Sequence, residues 1–178
     1  MPVRYRAAEL YMQGQQFERA AEQAHKVISD PQADASSKAL ASRLAAGAWL
    51  NVANQKVKAN QLEPIRLANA DQRRGQPLQP RVPPGEWKRF VDAADTYLAN
   101  LDADPEASKP AAERRGGLPP AQLALIAGEV EYAFDNMDDA RRRFSDILNR
   151  WPDEGEVLES AVPLYLQTFL YANDTQGY

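Results

Sequence analysis

His25 is the only histidine of the chain and cysteine is absent, so the side chains that most often ligate transition metals or attack carbonyl carbons are almost missing. A lone imidazole needs a partner to act as ligand or base, and His25, flanked by Ala24 and Lys26, reads as an ordinary helix-surface residue. The acidic run Asp135, Asn136, Met137, Asp138 and Asp139 has oxygen donors of the kind found in calcium loops. Such a loop needs an oxygen ligand where Met137 stands and a glycine where Ala140 stands. A turn followed by a helix start accounts for the same residues, with Asp138 at the positive end of the helix dipole. No phosphate-cradling glycine loop, nucleophile elbow or paired-carboxylate motif is present, and carboxylates such as Glu129 and Glu131 would have to meet others through the fold, as glycosidase acids do. These residues predict no catalytic centre, no metal and no cofactor.

The basic clusters Arg73-Arg74, Arg114-Arg115 and Arg141 to Arg143 are the other charged feature. With a net charge of -4 and a pI near 5.1 they read as solvated faces and loops, because a nucleic-acid footprint requires a strongly basic surface. No apolar run approaches the roughly 20 residues needed to span a bilayer, which predicts no direct membrane insertion. Met1 to Leu10 lacks the apolar core of a signal peptide, leaving periplasm and cytoplasm both open.

The elements that would position these groups are set off by proline and glycine. At 178 residues and 44% hydrophobic the chain has enough material for a core. Tyr5 to Ser29 predicts two helices about a turn at Gly14-Gln15-Gln16, ended by Asp30-Pro31. Ser36 or Ser37 is the expected N-cap of a helix running to about Asn54, and a weaker helix is expected over Val57 to Asn69, kinked at Pro64. Residues 70 to 85 read as loop, in which Pro77, Pro80 and Pro83 recur at every third position. That spacing suits an extended connector better than a polyproline ligand. Helices are then expected over Glu86 to Asn100, Gln122 to Phe134, Met137 to Arg150 and Glu156 to Tyr171, with a polar linker at Glu106 to Pro120.

One spacing occurs twice: Ala93, Tyr97, Pro105 and Ala140, Phe144, Pro152, each preceded by Phe90 or Met137. Residues four apart share a helix face, so the small residue admits a neighbouring helix, the aromatic fills the space beside it, and proline ends the helix. This pattern resembles the second half of a tetratricopeptide repeat. Around Gly128 the match extends to the preceding helix, with Asp135-Asn136 as the turn; the N-terminal stretch matches at Ala8, Tyr11, Phe17 and Ala20 but has Ala24 where an aromatic is usual. The resemblance implies an all-α solenoid of antiparallel helix pairs, about seven helices in one domain over residues 1–178. Its units fall at about 3–31, 36–105 with a Pro-rich insertion at 56–85, and 119–152, followed by a last helix over 156–171. That last helix is apolar on more than one face, so the chain reads as a piece of a longer repeat protein, with Ala172 to Tyr178 beginning the next turn.

The resemblance further implies a non-catalytic scaffold that binds a peptide or protein segment in a concave groove lined by the first helices of the units. Tyr5, Glu9, Met12 and Gln13 would face that groove with Asn51, Glu129 and Tyr132, the glutamates favouring a basic segment. A chaperone-tail clamp is disfavoured, since Tyr5, Glu9, Leu125 and Glu129 occupy the positions where that clamp carries Lys and Asn. The alternative is a structural spacer or assembly module of a bacterial cell-envelope complex, self-associating through its C-terminal helix.

Overall fold

Gln15, Asn60 and Asp135 are non-glycine residues with positive φ, at 57°, 56° and 63°. Each follows the end of a helix and reverses the chain by the same hydrogen bond. Gln16 N donates to Tyr11 O at 2.9 Å, Gln61 N to Lys56 O at 2.8 Å and Asn136 N to Glu131 O at 3.0 Å. This is the Schellman closure, in which one left-handed residue lets the next amide satisfy an orphan carbonyl of the last turn. Gln16 and Asn136 then begin the following helices in nearly identical conformations, φ −90°, ψ 64° and φ −82°, ψ 64°. The helix hairpins turning at Gln15 and at Asp135 are therefore built on one turn geometry.

The computed structural model describes residues 3–68, 72, 77–107, 109 and 117–171. Among these it is all helical: α1 Val3–Gln13, α2 Phe17–Ile28, α3 Ala35–Lys58, α4 Gly85–Ala99, α5 Pro120–Ala133, α6 Met137–Arg150 and α7 Gly155–Tyr171, with a 3-10 turn at Leu101–Ala103. The contacts divide the chain into two compact units, Met1–Glu63 with Pro84–Pro120, and Pro64–Pro83 with Ala121–Tyr178. The stretch expected as an insertion within the middle repeat thus divides between them, residues 64–83 grouping with α5 to α7. Arg73-Arg74, Arg114-Arg115, Gln76, most of the linker before Gly117 and Ala172 to Tyr178 lie outside the described residues.

In the first unit each helix packs on the next in sequence, α1 on α2, α2 on α3 and α3 on α4, with a smaller α1–α3 contact. Alanine makes this close stacking possible. Tyr5 and Ala8 of α1, Ala24 and Val27 of α2, and Ala41 and Ala45 of α3 form one buried cluster, and Ala20, Ala21 and Ala48 a second. Helix α3 is the middle layer, buried along Ala41, Ala45, Ala46, Ala48 and Ala53, and for that reason shows no single apolar stripe. Its N-cap is Asp34, not Ser36 or Ser37: Asp34 Oδ1 accepts from Ser37 N at 2.7 Å and Oδ2 from Ser37 Oγ at 2.9 Å. At the other end α3 continues past Asn54 to Lys58, and residues 63–68 form no helix. Pro64 lacks a donor and disfavours helix at Glu63, whose carbonyl instead accepts from Trp87 Nε1 at 2.8 Å.

Polar ties fix the order of this unit. Lys56 Nζ on α3 lies 2.6 Å from Glu86 Oε1 on α4 and 3.4 Å from Glu18 Oε1 on α2. Beyond α4, the carboxylate of buried Asp104 accepts from Tyr97 OH at 2.8 Å, Arg43 Nη1 at 3.2 Å and Glu106 N at 2.9 Å. The aromatic of the Ala93-Tyr97-Pro105 triplet therefore fastens the turn that the proline opens. Ala93 itself is only half-buried, and Ala94 takes the fully buried position.

In the second unit Phe144 and Ala140 of α6 are fully buried, and Phe144 lies against Gly128 of α5. Helix α7 packs on α6, where Arg141 Nη2 donates to Thr168 O at 3.0 Å and Arg141 Cζ lies 4.2 Å from the centre of the Phe169 ring. Pro163 sits inside α7, so the exposed Glu159 carbonyl has no intrahelical donor there. The Pro-rich segment is held down: Arg81 N donates to Phe134 O at 3.1 Å, Asn136 Nδ2 to Arg81 O at 3.0 Å and Gln79 N to Asp135 Oδ2 at 3.0 Å. Residues 77–83 thus form a strap over the α5–α6 turn.

Candidate functional site

The residues expected to line a groove fall in different environments. Tyr5 is 7% exposed within the alanine cluster, and burial first, then Glu9, raises its phenol pKa. Glu9 pairs with Arg6 at 3.0 Å. Half-buried Met12 packs on the second alanine cluster and reaches α3, where a Cβ on Gly47 would lie 3.8 Å from its Cε; Asn51 Nδ2 donates to Gly47 O at 2.8 Å. Met12 and Asn51 therefore meet at Gly47, and Gln13 lies exposed at the end of α1. In the second unit Glu129 is half-buried, and desolvation holds its carboxyl above the usual range. Tyr132 is fully buried, its hydroxyl donating to Gln167 Oε1 at 2.6 Å and lying 3.0 Å from the carbonyl oxygen of Ala68.

The residues that the sequence offers for chemistry serve turns, surfaces and one buried ion pair. His25 Nε2 is 3.4 Å from Oγ of Ser29, the C-cap of its own helix. Asp135 anchors the strap, and Asp139 pairs with Arg142 at 2.8 Å. Arg143, expected on a solvated face, is instead buried on the inward side of α6, where its Nη2 lies 3.7 Å from Glu131 Oε1 of α5 in a buried pair. Among the described residues no group of three or more His, Asp or Glu could hold a metal ion, and no helix is long and apolar enough to cross a membrane.

One concavity of the first unit stands apart, a cleft of about 550 Å³ lying over α3 between α2 and α4. Its apolar surface comes from Ala45 and Trp49 of α3, Ala21 and Ile28 of α2 and Ala93 of α4. His25 and Lys26 on one side and Arg89, Asp92 and Thr96 on the other add the polar part. The spacing explains the wall: Arg89, Asp92, Ala93 and Thr96 form one face of α4, beside the buried face of Phe90, Ala94 and Tyr97.

Arg89 lies over Trp49, Cζ 4.7 Å from the ring centre, within cation–π range. Asp92 is occupied, with both oxygens on Lys88 Nζ at 2.8 and 2.6 Å. Arg89 makes no hydrogen bond or ion pair with a described residue, and the same holds for Lys26 and for Glu22 at the cleft edge. The cleft combines a half-buried indole with charged groups that make no hydrogen bond or ion pair within the fold.

Sequence reasoning did not reach this site. Trp49 and Arg89 belong to helices separated by the whole Pro-rich stretch, and only the packing of α4 on α3 brings them together. The one available signal was Ala93, whose small side chain was expected at a tight crossing and instead forms part of an open wall. Comparison with protein-family models, with curated proteins and with solved structures finds no match.

Proposed function

We propose that the protein is a non-catalytic interaction scaffold of the tetratricopeptide kind, a solenoid of antiparallel helix pairs that holds a segment of another protein between its helices. The observation that carries this reading is the α2–α3–α4 cleft, whose volume and mixed lining suit a few side chains of a bound segment. The shared turn of the α1–α2 and α5–α6 hairpins and the Gly128–Phe144 contact support the repeat character. The cleft is the better candidate than the face formed by the first helices, because Tyr5 is committed to the core and Glu9 to Arg6.

Selection of displayed peptides on the immobilised protein tests the proposal. Enriched sequences should bind the parent and lose at least about tenfold in affinity to Trp49→Ala, since truncating a central aromatic anchor costs more than 1–2 kcal/mol. Failure to enrich any sequence, or equal binding to the variant, would remove the cleft as the site.

A second reading has its own observation. Val162, Leu166 and Leu170 are 39%, 45% and 50% exposed and share one face of α7 at successive turns. Such a stripe suits self-association, the assembly-module alternative. Sedimentation of the parent and of Leu166→Glu over a wide concentration range separates the two, because only self-association predicts a parent dimer that the variant loses.

A further inference from the structure

We infer that the segment taken by the α2–α3–α4 cleft carries a side-chain carboxylate next to an apolar residue; this rests on the scaffold reading above and names its partner. The apolar half of the recognition is the floor, where Trp49 and Ala45 lie between Ile28 and Ala93. An indole is large, rigid and costs little entropy to use, which makes it the anchor against which an apolar side chain of the segment packs.

The charged half follows from which groups are already satisfied. Asp92 is paired with Lys88, leaving Lys26, Glu22 and Arg89, whose charge also acts on Glu86, as the charged groups at the cleft that make no hydrogen bond or ion pair. A basic segment would meet two like charges and one opposite one, whereas an acidic segment meets the reverse. Arg89 is also the better prepared of the two cations. Held over Trp49, it offers a planar fork of N–H donors of the kind that pairs with a carboxylate through two parallel hydrogen bonds. Because the stack already restricts the side chain, less freedom is lost on pairing. The carboxylate and the apolar residue must be near neighbours in the segment, since Arg89 lies directly over the indole that receives the apolar group. This preference is opposite to the basic segment expected for the face bearing Glu9, and it belongs to a different surface of the same unit.

The test uses three synthetic decapeptides identical but for two positions flanking a central Leu-Phe: Asp at both, Lys at both, or Gln at both. Binding to the full chain is read from tryptophan fluorescence, with Trp49→Phe identifying the part of the signal that belongs to Trp49. The Asp peptide should bind about tenfold or more tightly than the Lys peptide at low salt, and the gap should narrow as salt screens the pairing. Arg89→Gln should bring the Asp and Lys peptides to within about twofold of one another, whatever it does to their common affinity, and Arg89→Lys, which keeps the charge but loses the fork, should fall between. Arg89 is exposed, so neither variant threatens the fold. If the Gln or Lys peptide binds as well as the Asp peptide through Trp49, carboxylate recognition is overturned and the scaffold reading stands. If none of the three perturbs Trp49, both are overturned at this cleft.

Discussion

Gly128 and Gly47 both lie inside helices, α5 and α3, and the same substitution should act on them in opposite directions. Replacing a mid-helix glycine by alanine gains about 1 kcal/mol of helix propensity. At Gly47 that gain should appear in full, because the new Cβ would meet only Met12 Cε at 3.8 Å, an ordinary contact with the end of a flexible side chain. At Gly128 the Cβ would lie 2.6 Å from Phe144 Cε1 and 3.1 Å from its Cδ1 and Cζ. Phe144 is fully buried, so the ring cannot swing aside without displacing its own neighbours. Overpacking of this kind costs about 1–3 kcal/mol, which cancels the propensity gain and leaves a net loss of up to about 2 kcal/mol. Since the propensity term is common to both variants, their difference isolates the packing term, about 1–3 kcal/mol. For a chain of this length that separates their melting temperatures by roughly 2–4 °C per kcal/mol. Urea unfolding with unchanged m-values is the assay. Equal shifts for the two alanine variants would refute the close α5–α6 approach.

Tyr97→Phe should cost about 1.5–3 kcal/mol, because it strips a hydrogen bond from the buried carboxylate of Asp104, whereas Tyr5→Phe, whose hydroxyl bonds no described residue, should be neutral within about 0.5 kcal/mol; denaturant midpoints compare them. Burial pushes the Glu86 carboxyl up, but the hydrogen bonds from Lys56 and from the backbone outweigh it and leave its pKa below 4.5, while the same bond to Glu86 raises Lys56 above 10.5. The stability of the parent over Glu86→Gln should therefore be level between those limits, shrink as pH falls through the depressed carboxyl pKa, and shrink again as pH rises through the raised ammonium pKa. A difference that does not change with pH would show the pair to be idle. Glu129 has the opposite sign, since desolvation raises its pKa above 4.5. Glu129→Gln should be more stable than the parent at pH 7, with the advantage fading as pH falls through the raised pKa and gone once pH is below 4.5, and thermal melts on either side of that window decide it.

The helices were legible in the sequence because their boundaries are local. Gly14-Gln15-Gln16, Asp135-Asn136 and Asp104-Pro105 mark ends that depend on nearby residues alone, and the Ala140-Phe144 pair falls in the core as its spacing requires. Errors arose where two local signals competed or a distant partner decided. Asp34 outcompetes two serines for the cap because its carboxylate reaches both the amide and the hydroxyl of Ser37. Helix α3 outruns its expected end because α2 and α4 cover it on both sides and Lys56 is tied to Glu18 and Glu86. Residues 77–83 pack with α5 and α6 through bonds to residues 134–136, a pairing that no local pattern announces. At the site, Tyr5 and Tyr132 have the type and helix position of binding residues, and what sends them inward is the packing of other helices. The Trp49–Arg89 stack is the converse case, invisible until α4 meets α3.

Chemical-shift mapping with a display-selected peptide tests the central claim most directly, because it asks which face of the first unit is occupied. Binding in the cleft predicts that the Trp49 indole resonance and the amides of Ala93 and Thr96 shift on titration, with those of Gln13 and Asn51 unmoved. Shifts centred on Gln13 and Asn51, or on the strap at residues 77–83, with Trp49 unchanged, would contradict it.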